Sequence, residues 1–171
     1  MNKSVLIIHG FGPKGDDIPL LNSVSNAGFD PIYMDWFEWN DINQQKFEEE
    51  VSKYLVSHNI VGVIGISFGG IVVGQNITKF LHLPIFIIAS APYFNPLFNI
   101  KFIYTLPKPI SIITISILKP IALVLSKTVN HPRVKGNASL ISQLPMNKII
   151  QILEFIKKAD NRNILKNMGM I

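Results

Sequence analysis

Between two apolar runs, Val61 to Ile66 and Ile71 to Ile77, the chain carries Gly65-Ile66-Ser67-Phe68-Gly69-Gly70, a G-x-S-x-G pentapeptide with one further glycine. Small residues two before and two after the serine permit a turn too tight for a Cβ. Such a turn lifts the hydroxyl above the sheet edge with a helix N-terminus behind it. A nucleophile can be displayed in that way, and glycine-rich strand-to-helix turns also serve phosphate sites. The pentapeptide alone leaves a catalytic serine and a plain tight turn both open. A second glycine-bearing stretch, His9-Gly10-Phe11-Gly12, closes the first apolar run, Ser4 to Ile8. If those two strands are neighbours, both loops meet in the crevice beyond the carboxyl ends of the strands, where parallel sheets bind ligands. A loop with two glycines can turn an N–H toward an oxyanion, and the Phe68 N–H at the helix start can supply another.

The elements that must position these residues alternate. Ser4 to Ile8 is apolar on both faces, as expected of a central parallel strand. Asp16 to Ala27 reads as a helix with Asp16 and Asp17 at its start, Pro19 in its first turn and Gly28 as its stop. Pro31 to Met34 is a second strand. Asp35 to Asn40 reads as a loop with two exposed tryptophans, Trp36 and Trp39, at the edge of a cleft. Asp41 is the expected cap of a helix running to about His58, with Phe47, Val51, Tyr54 and Leu55 on one face and Glu48, Glu49 and Glu50 on a solvated one. Val61 to Ile66, Ile71 to Phe80 and Pro84 to Ala89 follow as strand, helix and strand. This β-α-β-α-β-α-β order predicts an α/β fold, a parallel sheet of about four strands with right-handed crossovers.

After Ser90-Ala91-Pro92 the pattern changes, and residues 1–92 read as a core while residues 93–171 read as a helical cap. Tyr93 to Ser126 is aromatic and aliphatic, broken by Pro96, Pro107, Pro109 and Pro120. Its longest nearly uncharged piece, Ile110 to Leu125, is shorter than the roughly 20 residues of a membrane-spanning helix. A hydrophobic lid over the crevice, able to touch a membrane surface, is the expectation. Thr128 to Pro145 reads as an irregular linker, and Met146 to Ala159 as an amphipathic helix.

Composition removes several chemistries. The chain has 171 residues and no cysteine, so disulfides, thiolate metal sites and cysteine nucleophiles are excluded. A reducing, cytoplasmic setting follows as the expectation. His9, His58, His82 and His131 are scattered without metal-ligand spacing, and no cofactor is expected. Residues 1–60 hold nine carboxylates and four Lys or Arg, and residues 61–171 hold two and twelve, giving about −5 and +10. The lysines of the basic part stand singly among Ile, Leu and Phe and form no Arg-rich stripe, which argues against nucleic acid.

Together, His9-Gly10-Phe11-Gly12 after the first strand and Gly65-Ile66-Ser67-Phe68-Gly69-Gly70 after the third resemble the α/β-hydrolase superfamily. The likeness covers about residues 3–91 and implies the strand order 2-1-3-4. The tail from Asn130 to Met168, with Leu-Pro before an amphipathic helix, looks like the lid of carboxylesterases and monoacylglycerol lipases. The resemblance implies Ser67 as nucleophile, the N–H groups of Phe11 and Phe68 as oxyanion hole, and a structural role for His9 beside Gly10, Gly65 and Gly69. It also implies an ester or lipid-like substrate with an apolar acyl group.

The family's triad runs serine, acid, histidine. Here no carboxylate stands between Glu50 and Glu154, and the last histidine, His131, precedes Glu154 and Asp160. The order is not met. The chain therefore reads as the N-terminal portion of a serine hydrolase, to be completed by a C-terminal polypeptide bearing the acid and base, with the Pro84 to Ala89 edge left apolar and unpaired. The alternative is a non-catalytic fragment that keeps the crevice for an apolar ligand or partner. A flavodoxin-like or nucleotide-binding domain is the less favoured reading: no G-K-[ST] loop occurs, and the G-x-G-x-x-G match, Gly10 to Gly15, overlaps the His9-Gly10-Phe11-Gly12 stretch.

Overall fold

The computed structural model describes residues 2–11, 17–88, 90, 116–117, 119–124, 127–128, 139, 141–160 and 166. Four strands, β1 (Lys3–Ile8), β2 (Asp30–Met34), β3 (Asn59–Ile66) and β4 (Ile85–Ile88), form one parallel sheet in the order β2-β1-β3-β4. Helices α1 (Ile18–Asn26), α2 (Gln44–Ser57) and α3 (Phe68–Gln75) make the connections, and α4 (Met146–Lys158) comes later in the chain. The winding reverses between β1 and β3, where Ile8 lies opposite Gly65. The two glycine-bearing loops therefore leave neighbouring strands at the same end, which meets the condition for both to share one crevice.

Alternation along the strands sends residues to two cores. Leu6, Ile8 and Val63 face a large cluster with Phe47 and Val51 of α2, Phe68 and Val72 of α3 and Phe155 of α4, joined by Met34 of β2 and by Trp36 and Phe80 from the turns. Ile7 and Ile64 face a smaller cluster with Val24, joined by Leu20 and Leu21 of α1. Two apolar faces per strand thus find helices on both sides.

Local chemistry shifts several boundaries. The α2 cap is Asn43, whose Oδ1 accepts from the Lys46 N–H at 2.9 Å, rather than Asp41. Asp17 precedes α1 without a capping bond. Its carboxylate instead accepts from the Tyr33 hydroxyl at 2.9 Å, tying α1 to β2. Trp36 is not exposed: it sits in a short 3-10 turn, Trp36–Glu38, fully buried, with Nε1 donating to the His9 carbonyl at 3.1 Å. Apolar area plus one satisfied N–H outweighs its loop location. Helix α3 ends at Gln75, earlier than its apolar run, where the buried Asn76 side chain donates to the Val72 carbonyl and a 3-10 turn, Ile77–Lys79, follows.

Most of Tyr93 to Ser126, as well as Ala89, His131 and Gly12, lies outside the described residues. Residues 116–117, 119–124 and 127–128 are helical, as are 139 and 141–143 within the expected linker. Among the described residues no helix is long and apolar enough to cross a membrane.

Candidate active site

Ser67 stands between β3 and α3 with φ 51° and ψ −113°, the single non-glycine residue with positive φ among those described. A Cβ-bearing residue adopts that conformation only when its surroundings hold it there. Three contacts do so. The Ser67 N–H donates to the Ile88 carbonyl of β4 at 2.8 Å, and the Gly70 N–H donates to the Ser67 carbonyl at 3.0 Å. From the other side comes the loop after β1: a Cβ on Gly10 would lie 2.9 Å from the Ser67 Cβ and 3.0 Å from the Ile66 carbonyl oxygen.

The glycines around the turn allow close approach of backbone. A Cβ at Gly69 would fall 1.9 Å from the Ile8 carbonyl oxygen, so α3 can start against the end of β1 only with glycine there. Gly65 meets Gly70 and Val73 of α3 in the same way. The result is an exposed serine at a strand-to-helix turn.

Above it lies a cavity of about 560 Å³ lined by Phe11, Ser67, Phe68, Ile71, Ser90 and residues of the later chain, Ile141, Ile149, Ile152, Leu153 and Ile156. Its roof is one face of α4. That helix is held by Phe155, packed on Phe47 and Phe68 with ring centres 5.0 and 5.3 Å away, and by Gln151 Oε1, which accepts from the Ile42 N–H at 3.1 Å. Lys148 Nζ donates to the Phe37 carbonyl, anchoring its first turn to the loop after β2. Among the described residues the crevice is covered by α4, which belongs to the Asn130 to Met168 tail that the resemblance makes a lid, while most of Tyr93 to Ser126, the other expected cover, lies outside the described residues.

Phe11 and Phe68, the two residues whose N–H groups were expected to bind an oxyanion, both line this cavity with Ser67. Phe68 is the first residue of α3, where an N–H has no intrahelical acceptor. His9 is elsewhere. It is 1% exposed and stacks on Tyr33 at 4.8 Å and Trp36 at 5.0 Å, with Nδ1 2.8 Å from the Gly10 carbonyl oxygen and Nε2 3.9 Å from Asp35 Oδ1. Among the described residues that line the cavity there is no histidine and no carboxylate.

Sequence reasoning did not single out Ser90 or the α4 residues as site residues. Ser90 had one legible signal, its place just beyond the fourth strand, at the same end as Ser67. No protein-family model matches the chain, and neither does any curated protein. Fold and site together define a parallel α/β protein with a strained serine at the topological switch point, opening into an apolar chamber.

Proposed function

We propose that this protein is a serine hydrolase of the α/β-hydrolase type, acting on carboxylic esters with an apolar acyl group. The observation that carries the reading is the strained Ser67 at the floor of an apolar cavity. Oγ of Ser67 attacks the ester carbonyl, the carbonyl π pair moves onto oxygen, and the N–H groups of Phe11 and Phe68 receive that oxyanion. Collapse expels the alcohol and leaves an acyl-serine, which water then cleaves. The aliphatic wall from Ile71 to Ile156 takes the acyl chain.

Attack also requires that the serine proton go to a base, and this reading assigns the acid and base to a complementing C-terminal polypeptide. His9 is a poor candidate because its ring is held in the aromatic stack. A cytoplasmic setting, with membrane contact through the exposed Ile117, Ile121 and Val124 of the helical segment, belongs to the same reading.

The test is fluorophosphonate labelling and p-nitrophenyl butyrate hydrolysis by the purified chain, with and without imidazole as a diffusible base. We expect weak labelling that rises with imidazole and vanishes in Ser67→Ala. The absence of any imidazole or carboxylate from the described cavity lining favours a second reading, a non-catalytic binder of apolar ligands. No labelling at any imidazole concentration, with retained fatty-ligand binding, would establish that reading and sink the first.

A further inference from the structure

Ser67 and Ser90 are the two polar side chains among the described residues that line the apolar cavity. Ser90 is the less easily explained. Its Oγ is buried and has no hydrogen-bond partner, a condition that folded proteins rarely leave standing without a role. The hydroxyl lies against α3 at a place made by the lack of a side chain: a Cβ on Gly70 would come within 2.5 Å of Ser90 Oγ and 2.4 Å of Ser90 Cβ.

Ser90 is also tied to the nucleophile. The Ser67 N–H is bonded to the Ile88 carbonyl, and two residues of extended chain from Ile88 reach at most about 7 Å. Ser90 also lies against Gly70, whose N–H is bonded to the Ser67 carbonyl, and both serines line the one cavity. Rotation of χ1 from one staggered well to another moves the Ser90 hydroxyl off Gly70 and toward the cavity. Among the described residues that line the cavity the side chains other than Ser67 and Ser90 itself are apolar, so a ligand is the partner the hydroxyl can find there. A hydroxyl can donate or accept, which suits either a hydroxyl or an oxo group.

From this we infer that Ser90 is a specificity-determining residue that selects acyl groups carrying an oxygen near the ester carbonyl, namely 3-hydroxy- and 3-oxoacyl esters. The inference deepens the proposed function and rests on it for the placement of the carbonyl at Ser67. Sites that hydrogen-bond a substrate oxygen discriminate more sharply than apolar walls discriminate chain length.

The experiment uses the full chain carrying Ser67→Ala, so that no ester is consumed, and measures binding of methyl 3-hydroxyhexanoate and methyl hexanoate by calorimetry. We expect the hydroxy ester to bind about five- to tenfold more tightly, the ratio one hydrogen bond supplies. Adding Ser90→Ala should bring the ratio to about one. Ser90→Cys, close in shape but a weaker hydrogen-bonding group, should give an intermediate ratio and serves if the alanine variant misfolds. Equal affinities with Ser90 present, a preference that survives both substitutions, or no binding of either ester would each overturn the inference. Fluorophosphonate labelling of the wild-type chain separates the two ideas. Labelled Ser67 without a hydroxy-ester preference removes only the role of Ser90, whereas a preference without labelling removes the hydrolase.

Discussion

Ser67 is held at φ 51° and ψ −113°, a conformation that strains a Cβ-bearing residue by about 1–3 kcal/mol. Glycine adopts it freely at the price of a more flexible unfolded chain, about 0.5–1 kcal/mol. Alanine keeps the strain. We therefore expect Ser67→Gly to be more stable than Ser67→Ala by about 1 kcal/mol in urea denaturation. Equal midpoints would mean that the turn is relaxed and that nothing in it is stored for display of the hydroxyl. The pentapeptide announced the tight turn, since glycines two either side of a serine leave few alternatives. It did not reveal that the loop after β1 would touch Ser67 through Gly10, a contact between residues far apart in the chain.

Among the elements, α4 tests how the cavity is built. Phe155 is buried between Phe47 and Phe68, and Phe155→Ala should destabilise the protein by about 3 kcal/mol. Denaturant unfolding measures this, and a loss under about 1 kcal/mol would mean that α4 is not docked on the sheet layer. In the same variant the affinity for methyl hexanoate should fall, because Ile152 and Ile156 lose their backing. The α1 to β2 tie gives a pH signature. Burial first, then the bond to Asp17, pushes the Tyr33 phenol well above its ordinary value. The fold thus favours the neutral phenol. Below about pH 10 both folded and unfolded phenols are neutral and the contribution is intact. As pH rises past that point the unfolded chain ionises first, and stability is lost. Tyr33→Phe should be less stable by about 1 kcal/mol at pH 7 and show a shallower decline above pH 10. An unchanged alkaline slope would place the titration elsewhere.

At the level of the whole molecule, cover is uneven. The face of the sheet toward α2, α3 and α4 is closed, while among the described residues α1 alone packs on the other face, near β1 and β3. Strand β4 pairs only with β3 among the described residues, and Phe86 is 60% and Ile88 43% exposed. An apolar edge of that kind favours association. Light scattering should show concentration-dependent growth for the wild-type chain and less for Phe86→Lys with Ile88→Lys. A monodisperse wild type at high concentration would show the edge to be protected. The apolar Pro84 to Ala89 run already pointed to this strand. Its position at one side of the sheet is the one that the resemblance implies and the fold shows.

The strand order 2-1-3-4 was legible through the resemblance that the two glycine-bearing motifs carry, whereas the parallel α/β sheet and the serine turn at a strand end were legible in the residues themselves. Those features rest on short-range signals: apolar runs of strand length, glycine stops, and a serine turn whose geometry its immediate neighbours impose. Cap identity and helix ends were less legible, because Asn43 and Asp41 are both able caps and only the packing of Phe47 and Val51 decides the register between them. Only the fold showed that His9 is enclosed in an aromatic stack, that Trp36 is buried in a loop, which residues of α4 line the cavity, and that Ser90 shares it with Ser67. Each of these depends on residues between about 20 and about 110 positions apart meeting in the fold. Side-chain periodicity carries no term for such distant meetings, since burial there is set by the complementary surface that another element happens to bring.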